Sequence, residues 1–347
     1  MINDTISTRH GGDIYSRPVR LDFSASINPL GMPESARNAL IGSVETFEHY
    51  PDPACGKLRE CIARHDGFPA PNIVCGNGAA DLIYRIVQTV RPQQALVTAP
   101  TFSEYERALR AAGCEVTRYI TRKEDGFRPR EDFTQSVKGC DLIFLCNPGN
   151  PSGTLISRKL LAEIICSCAD AGVLLVIDEC FFGFTGEIPL TYDDVTDSVI
   201  LLRAFTKIYA MAGLRLGYAL CHDRRIAHAL LECGQCWSVS VPAQTAGAAA
   251  LGEPEYLSRT VGFIRREREF LTASLREFGF EVFDASANFI LFRCGVPLDG
   301  MLMREGIAIR SCRDFPGLEE GYFRIGVRTR EENRMLIEAI GRCLKNG

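Results

Sequence analysis

The sequence predicts an α/β fold. Its main body is a mostly parallel sheet in a three-layer α/β/α arrangement, followed by a smaller α+β domain. Three observations carry this prediction. Between about residue 70 and residue 221, short apolar runs alternate with amphipathic helical stretches, the pattern of a parallel sheet covered on both faces. Three of these runs close on Pro, Asn or Asp (Pro100, Asn147, Asp178), which break strands and start turns. Beyond residue 250 the order changes to one long charged helix and then a cluster of short strands.

The elements follow in chain order. "ALVTAP" (95–100) reads as a strand, and "SEYERALRAAG" behind it as an amphipathic helix. "DLIFLCNP" (141–148) and "LLVIDE" (174–179) are strands on either side of the helical "RKLLAEIICSCADAG". "VILLRAF" (199–205) and "RLGYALC" (215–221) complete the β-type runs of the first body. The helix "RTVGFIRREREFLTASLREFG" then leads into "EVF", "NFILFR", "IAIRSC" and "YFRIGV", and "REENRMLIEAIGRCL" reads as a last helix. The first forty or so residues are too few for a domain and are expected to pack on the smaller lobe. The expected division is therefore an N-terminal segment 1–45, a large domain 46–250 and a small domain 251–347.

Composition narrows the function. A chain of 347 residues with 46% hydrophobic and 24% charged residues is an ordinary globular protein long enough for a large core. A net charge of −4 without a basic run argues against nucleic acid. The opening "MINDTISTRHGGD" has no apolar core of a signal peptide, and no run reaches membrane-spanning length. The 15 cysteines are scattered through apolar segments, which fits free thiols in a reducing cytoplasm. Cys233 and Cys236 form a single C-x-x-C with no second pair, so no metal site is expected.

Polar residues fall where strands end, and in open α/β sheets ligands bind at those ends. "CGNGAAD" (75–81) opens a helix, where Gly78, Ala79 and Ala80 can present backbone N–H groups to a phosphate. Alone it would read as a glycine-rich turn. Asn150 lies in "NPGNPSG", which would also serve as a plain turn, and Asp178 ends an apolar strand. A buried Asp needs a cation or strong hydrogen bonds. Lys207 follows another strand, and Arg215 comes eight residues later. Together these residues fit pyridoxal 5′-phosphate (PLP), which needs a lysine for a Schiff base, a carboxylate to keep its ring nitrogen protonated, and donors for its phosphate.

With those residues in place, the chain resembles the fold type I PLP enzymes over nearly its whole length, in the branch of histidinol-phosphate aminotransferase and threonine-phosphate decarboxylase. "FTKIYAMAGLRLGY" is similar to the family's Schiff-base segment, which makes Lys207 the cofactor lysine and puts Thr206 and Arg215 on its phosphate. "NPGNPSG" and "VIDECFFGF" resemble NPxNPTG and DEAYxxF, which places Asn150 on the 3′-oxygen and Asp178 on the ring nitrogen. "APTFSEY" resembles PTYxxY, with Phe102 stacked on the ring. The resemblance further implies a homodimer, with Tyr50 of "EHYPDP" reaching the neighbouring subunit's phosphate, and it puts Arg324 on the substrate carboxylate. Phe181 stands where many relatives have a tyrosine, and Ala79, Ala80 and Ala204 stand where hydroxyls are common. A weaker grip on the cofactor follows.

The N-terminus and the tail separate the branches. "HGGDIY…LDFSASINPLGMP" and "AIRSCRDFPGLEEGYFRIGVRT" resemble the decarboxylases, with His10 and Arg310 on the substrate's phosphate and Ser26 where relatives often have Asn. The resemblance thus implies decarboxylation of L-threonine O-3-phosphate to (R)-1-amino-2-propanol O-2-phosphate for cobalamin. The alternative is an aminotransferase for histidinol phosphate or an aromatic amino acid. A non-catalytic cofactor-binding protein is disfavoured by the intact set of Lys207, Asp178 and Asn150.

Overall fold

A computed structural model describes residues 10–16 and 18–346. The chain enters through a short strand, β1 (Leu21–Asp22), and then builds the main sheet from β2 (Ile73–Gly76), β3 (Gln94–Ala99), β4 (Glu115–Ile120), β5 (Leu142–Cys146), β6 (Leu174–Asp178), β7 (Val199–Ala204) and β8 (Gly217–Cys221). The seven strands lie in the order β2-β8-β7-β6-β5-β3-β4. Every neighbouring pair is parallel except those made by β8, which runs antiparallel to both β2 and β7. The α/β expectation therefore stands, with one strand reversed.

Period-2 alternation gives the sheet two apolar faces. In β5, Leu142, Phe144 and Cys146 face one core, while Ile143 and Leu145 face the other. The first core is closed by helices Ala79–Val90, Ser103–Ala111 and Arg224–Cys233, through residues such as Leu82, Ile86, Leu109 and Leu230. The second is closed in part by helix Arg158–Ala171, through Leu161, Ile164 and Ile165. Edge strand β4 is the exception, since its "EVTRYI" is mostly exposed.

The C-terminal part adds the long helix Pro254–Glu277 and the strands β9 (Glu281–Val282), β10 (Phe289–Arg293), β11 (Ile307–Ala308), β12 (Arg310–Ser311) and β13 (Tyr322–Gly326). Four of these form an antiparallel sheet in the order β12-β13-β10-β9. β11 instead pairs in parallel with β1. The N-terminal segment serves both bodies. Residues 21–26 lie along the small domain, with Gly326 N–H donating to the Phe23 carbonyl and Asn288 Nδ2 to the Ser26 carbonyl. Asn28 then ties the segment to the large domain through an Nδ2 bond to the Ile208 carbonyl (2.7 Å) and to the long helix Pro254–Glu277 through Tyr256 Oη and Thr260 Oγ1 (both 2.9 Å). Helix Glu34–Gly42 follows, where Ser35 bonds Glu253 and the Ala249 carbonyl.

One close approach sets the geometry of the glycine-rich turn after β2. Gly217 pairs with both Gly76 and Ala204, and a Cβ on it would lie 2.5 Å from Ala79 N and 2.8 Å from Gly78 C. Those atoms are backbone and cannot yield without moving the helix start. Gly217→Ala should lower stability by about 1–3 kcal/mol, the usual cost of overpacking, as read by denaturant unfolding. An unchanged midpoint would contradict this packing.

Candidate active site

The parallel register brings the carboxyl ends of the strands to one level. Cys146 pairs with Asp178, Asp178 with Leu202, and Ala204 with Gly217. Above these ends lies a cavity of about 460 Å³ whose lining includes Ala79, Ala80, Phe102, Asn150, Asp178, Thr206, Lys207 and Arg215 from the large domain. The N-terminal segment contributes His10 and Ser26, and the small domain Arg310 and Arg324. Residues spread over more than 300 positions thus meet in one space.

One end of the cavity is built for an anion. Helix Ala79–Val90 begins after Gly78, which adopts φ +80°, and no side chain caps it. Its first N–H groups are left for a ligand. The Arg215 guanidinium lies against Gly78, where a Cβ would meet its Nη2 at 2.7 Å. Thr206 is buried beside Lys207 in the short helix Phe205–Ile208.

Asp178 is 6% exposed and accepts two hydrogen bonds, from Tyr105 Oη at 2.5 Å and from Cys180 N–H at 2.8 Å. Tyr105 is fully buried and stacked on Phe144 at 4.9 Å. Burial, then the Asp178 charge, pushes its phenol well above the ordinary range. It stays a donor and keeps Asp178 an acceptor. Burial and Asp178 likewise hold the Cys180 thiol protonated.

Lys207 lies in the same dry space. Burial lowers its ammonium pKa to about 8, assisted by the Arg324 and Arg215 charges against the opposing Cys180 and Asp178. Arg324 is itself buried, and burial lowers its pKa to about 10. Its Nη1 donates to Asn150 Oδ1 and its Nη2 to the Ser24 carbonyl at 3.0 Å. Because Arg324 takes Oδ1, Asn150 keeps Nδ2 as a donor for a ligand oxygen. Two buried polar atoms at the cavity walls, Arg324 Nε and Ser26 Oγ, have no hydrogen-bond partner among the described residues. Phe181 packs edge-on against Phe289 and supplies no hydroxyl.

Residues 19–340 match the family described as aminotransferase class I and II. The chain belongs to the class I and II aminotransferases. Threonine-phosphate decarboxylase of Salmonella typhimurium is 35% identical to this aminotransferase-family chain over 355 residues, covering 97% of each. The crystal structure of histidinol-phosphate aminotransferase from Clostridium acetobutylicum has a TM-score of 0.87 at 26% identity, covering 94% of this chain and 100% of that one. That of L-threonine-O-3-phosphate decarboxylase from Porphyromonas gingivalis has a TM-score of 0.83, also at 26% identity, covering 94% of this chain and 99% of that one. Both structures share the two-body fold described above.

This aminotransferase family is PLP-dependent, and the donor set fits the cofactor. There is one amine of lowered pKa, one buried carboxylate, an uncapped helix start beside a guanidinium, and orphaned donors in the wall. Of the residues singled out in the sequence, Tyr50 does not line this cavity. It is 79% exposed and stacks on Trp237 at 4.4 Å. Tyr105, Glu104, Cys180 and Phe315 also line the cavity, and the sequence reading passed over them. For Tyr105 a signal was there: three residues beyond Phe102 at a helix start, it falls on the same helix face.

The lowered pKa has a direct consequence. The neutral amine is the reactive form, so in cofactor-free protein Lys207 should become half-reactive toward a small acylating reagent near pH 8, below the ordinary lysine range of about 10.4. Peptide-resolved acetylation rates against pH measure this. A midpoint above pH 10 would mean that the amine is not desolvated.

Proposed function

We propose that this chain is a PLP-dependent lyase that decarboxylates L-threonine O-3-phosphate to (R)-1-amino-2-propanol O-2-phosphate, a building block of cobalamin. The observation that carries this reading is the cation pattern of the cavity. Arg324 lies next to Asn150 and Lys207, while Arg310 and His10 line the same space from other elements. A substrate with a carboxylate near its amine and a second anion further out suits that pattern. The 35% identity to a threonine-phosphate decarboxylase supports it.

Bound PLP supplies a carbonyl for the substrate amine and a ring that takes up the electron pair when a bond at Cα breaks. The protein does the rest. Asp178, oriented by the hydrogen bonds it accepts from Tyr105 Oη and the Cys180 N–H, would hold a proton on the ring nitrogen. Ala79 and Ala80 N–H groups, Thr206 and Arg215 would hold the cofactor phosphate, and Phe102 would cover the ring. Arg324 pairs with the substrate carboxylate, and His10, Arg310 and Ser26 take its phosphate. Anchoring the substrate at both ends would fix which Cα bond is presented for cleavage. Lys207, whose ammonium pKa burial lowers to about 8, would return a proton to Cα.

The proposal includes a homodimer with shared sites. Ile41, Val44, Phe47, Tyr50 and Trp237 are large, exposed apolar side chains, and Tyr50 stacks on Trp237. A second copy covering them would carry its own Tyr50 toward this chain's cofactor phosphate. Histidinol-phosphate transamination is the second reading, favoured by the TM-score of 0.87 to such an enzyme.

The test is to supply the holoenzyme with threonine phosphate, and separately with histidinol phosphate plus 2-oxoglutarate. CO2 release in the first reaction is expected; glutamate formation in the second would give the reaction to the transaminase reading. Arg310→Ala should lower kcat/KM for threonine phosphate by about 10- to 100-fold, the cost of one charged hydrogen-bond set, and leave unphosphorylated threonine nearly unaffected. Equal losses on both substrates would place Arg310 in the scaffold.

A further inference from the structure

Both side chains assigned to the substrate's phosphate are already met by a carboxylate of this chain. His10 Nε2 lies 2.9 Å from Glu104 Oε1, and Arg310 Nη2 donates to Asp314 Oδ2 at 2.8 Å. In each pair one member is largely buried, the side chains of Glu104 at 12% and Arg310 at 13% exposure, while His10 and Asp314 reach the solvent. The other oxygen of Glu104 accepts from Tyr84 Oη at 3.2 Å. Arg310 lies with Cζ 5.1 Å over the Phe315 ring and also donates to the Ser311 carbonyl. A largely buried guanidinium such as Arg310 is costly without an anion, and Asp314 supplies that charge while Glu104 gives His10 a partner. Glu104 also has a second cation at hand. Arg107 Nη1 is 3.5 Å from the same Oε1, one helical turn on. A carboxylate released from His10 therefore has a partner waiting.

We infer that Glu104 and Asp314 are placeholders for the substrate's phosphate, holding His10 and Arg310 in position and competing with the phosphate for them. This rests on the phosphate-bearing substrate proposed above. Binding then exchanges one anion for another at each cation. The cations stay in place without a ligand, and the net gain on binding stays moderate, so a phosphorylated product can leave. An uncharged hydroxyl displaces neither carboxylate, so threonine leaves both pairs closed.

Competition and simple positioning predict opposite signs. Glu104→Gln and Asp314→Asn keep size and shape but remove the charge. The holoenzyme, whose cofactor phosphate site is filled, is titrated with inorganic phosphate by calorimetry, and each protein is also melted without phosphate. Each variant should bind phosphate on the order of fivefold more tightly than the parent and melt about 2–4 °C lower when empty. Equal or weaker binding by a folded variant would overturn the inference, because the carboxylates would then be orienting the cations. The Asp314 side chain is 32% exposed, so its variant keeps the test open if Glu104→Gln does not fold. Absence of phosphate binding by all three proteins would strike down the phosphate-bearing substrate itself, and this inference with it.

Discussion

The site depends on one constraint, the parallel register of β5, β6 and β7. Hydrogen bonding between these strands fixes Cys146, Asp178 and Leu202 side by side, and Lys207 follows five residues after Leu202. A slip of one residue would turn every side chain to the opposite face. The slip is opposed by both cores at once, because alternate residues of each strand are buried on opposite sides. The carboxylate and the amine are thus placed by apolar packing remote from either of them. Behind them, the buried Arg203 of β7 clamps Glu179 and Asp66, with bonds of 2.7 to 2.9 Å. This ties the residue after Asp178 to the strand that leads to Lys207.

Electrostatics then follow from geometry. Lys207, Arg107, Arg215, Arg310 and Arg324 share the cavity with two carboxylates, Asp178 and Glu104. Crowding of positive charge in a dry space lowers the cost of a neutral amine at Lys207 and raises the reward for an anionic ligand. The N-terminal segment completes the enclosure. It is bonded to the small domain at Phe23 and Ser26 and to the large domain at Asn28, so one short stretch couples the position of His10 to both bodies.

Much of this was legible in the sequence. The strands with strong apolar runs were found, because burial on both faces leaves a continuous signal. β2 and β4 were not. The first has only four residues, and the second lies at the sheet edge with a polar, mostly exposed sequence. The reversal of β8 left no mark, since an apolar run reads the same in either direction. At the site, residues at strand ends stood out by their chemistry. Tyr105, Glu104 and Asp314 did not, because each acts on another side chain whose place only the fold reveals. The N-terminal segment was expected to pack on the small domain; Asn28, bonded to the Ile208 carbonyl, and helix Glu34–Gly42, bonded through Ser35 to the Ala249 carbonyl, show that it also lies on the large one.

The central claim is that this register makes Lys207 the residue that carries the cofactor. Reducing the yellow holoenzyme with borohydride, digesting it and weighing the peptides tests that claim most directly. The account predicts a pyridoxyl mass on the peptide containing Lys207 and its loss in Lys207→Ala. A reduced adduct on any other lysine, or none at all, would contradict it.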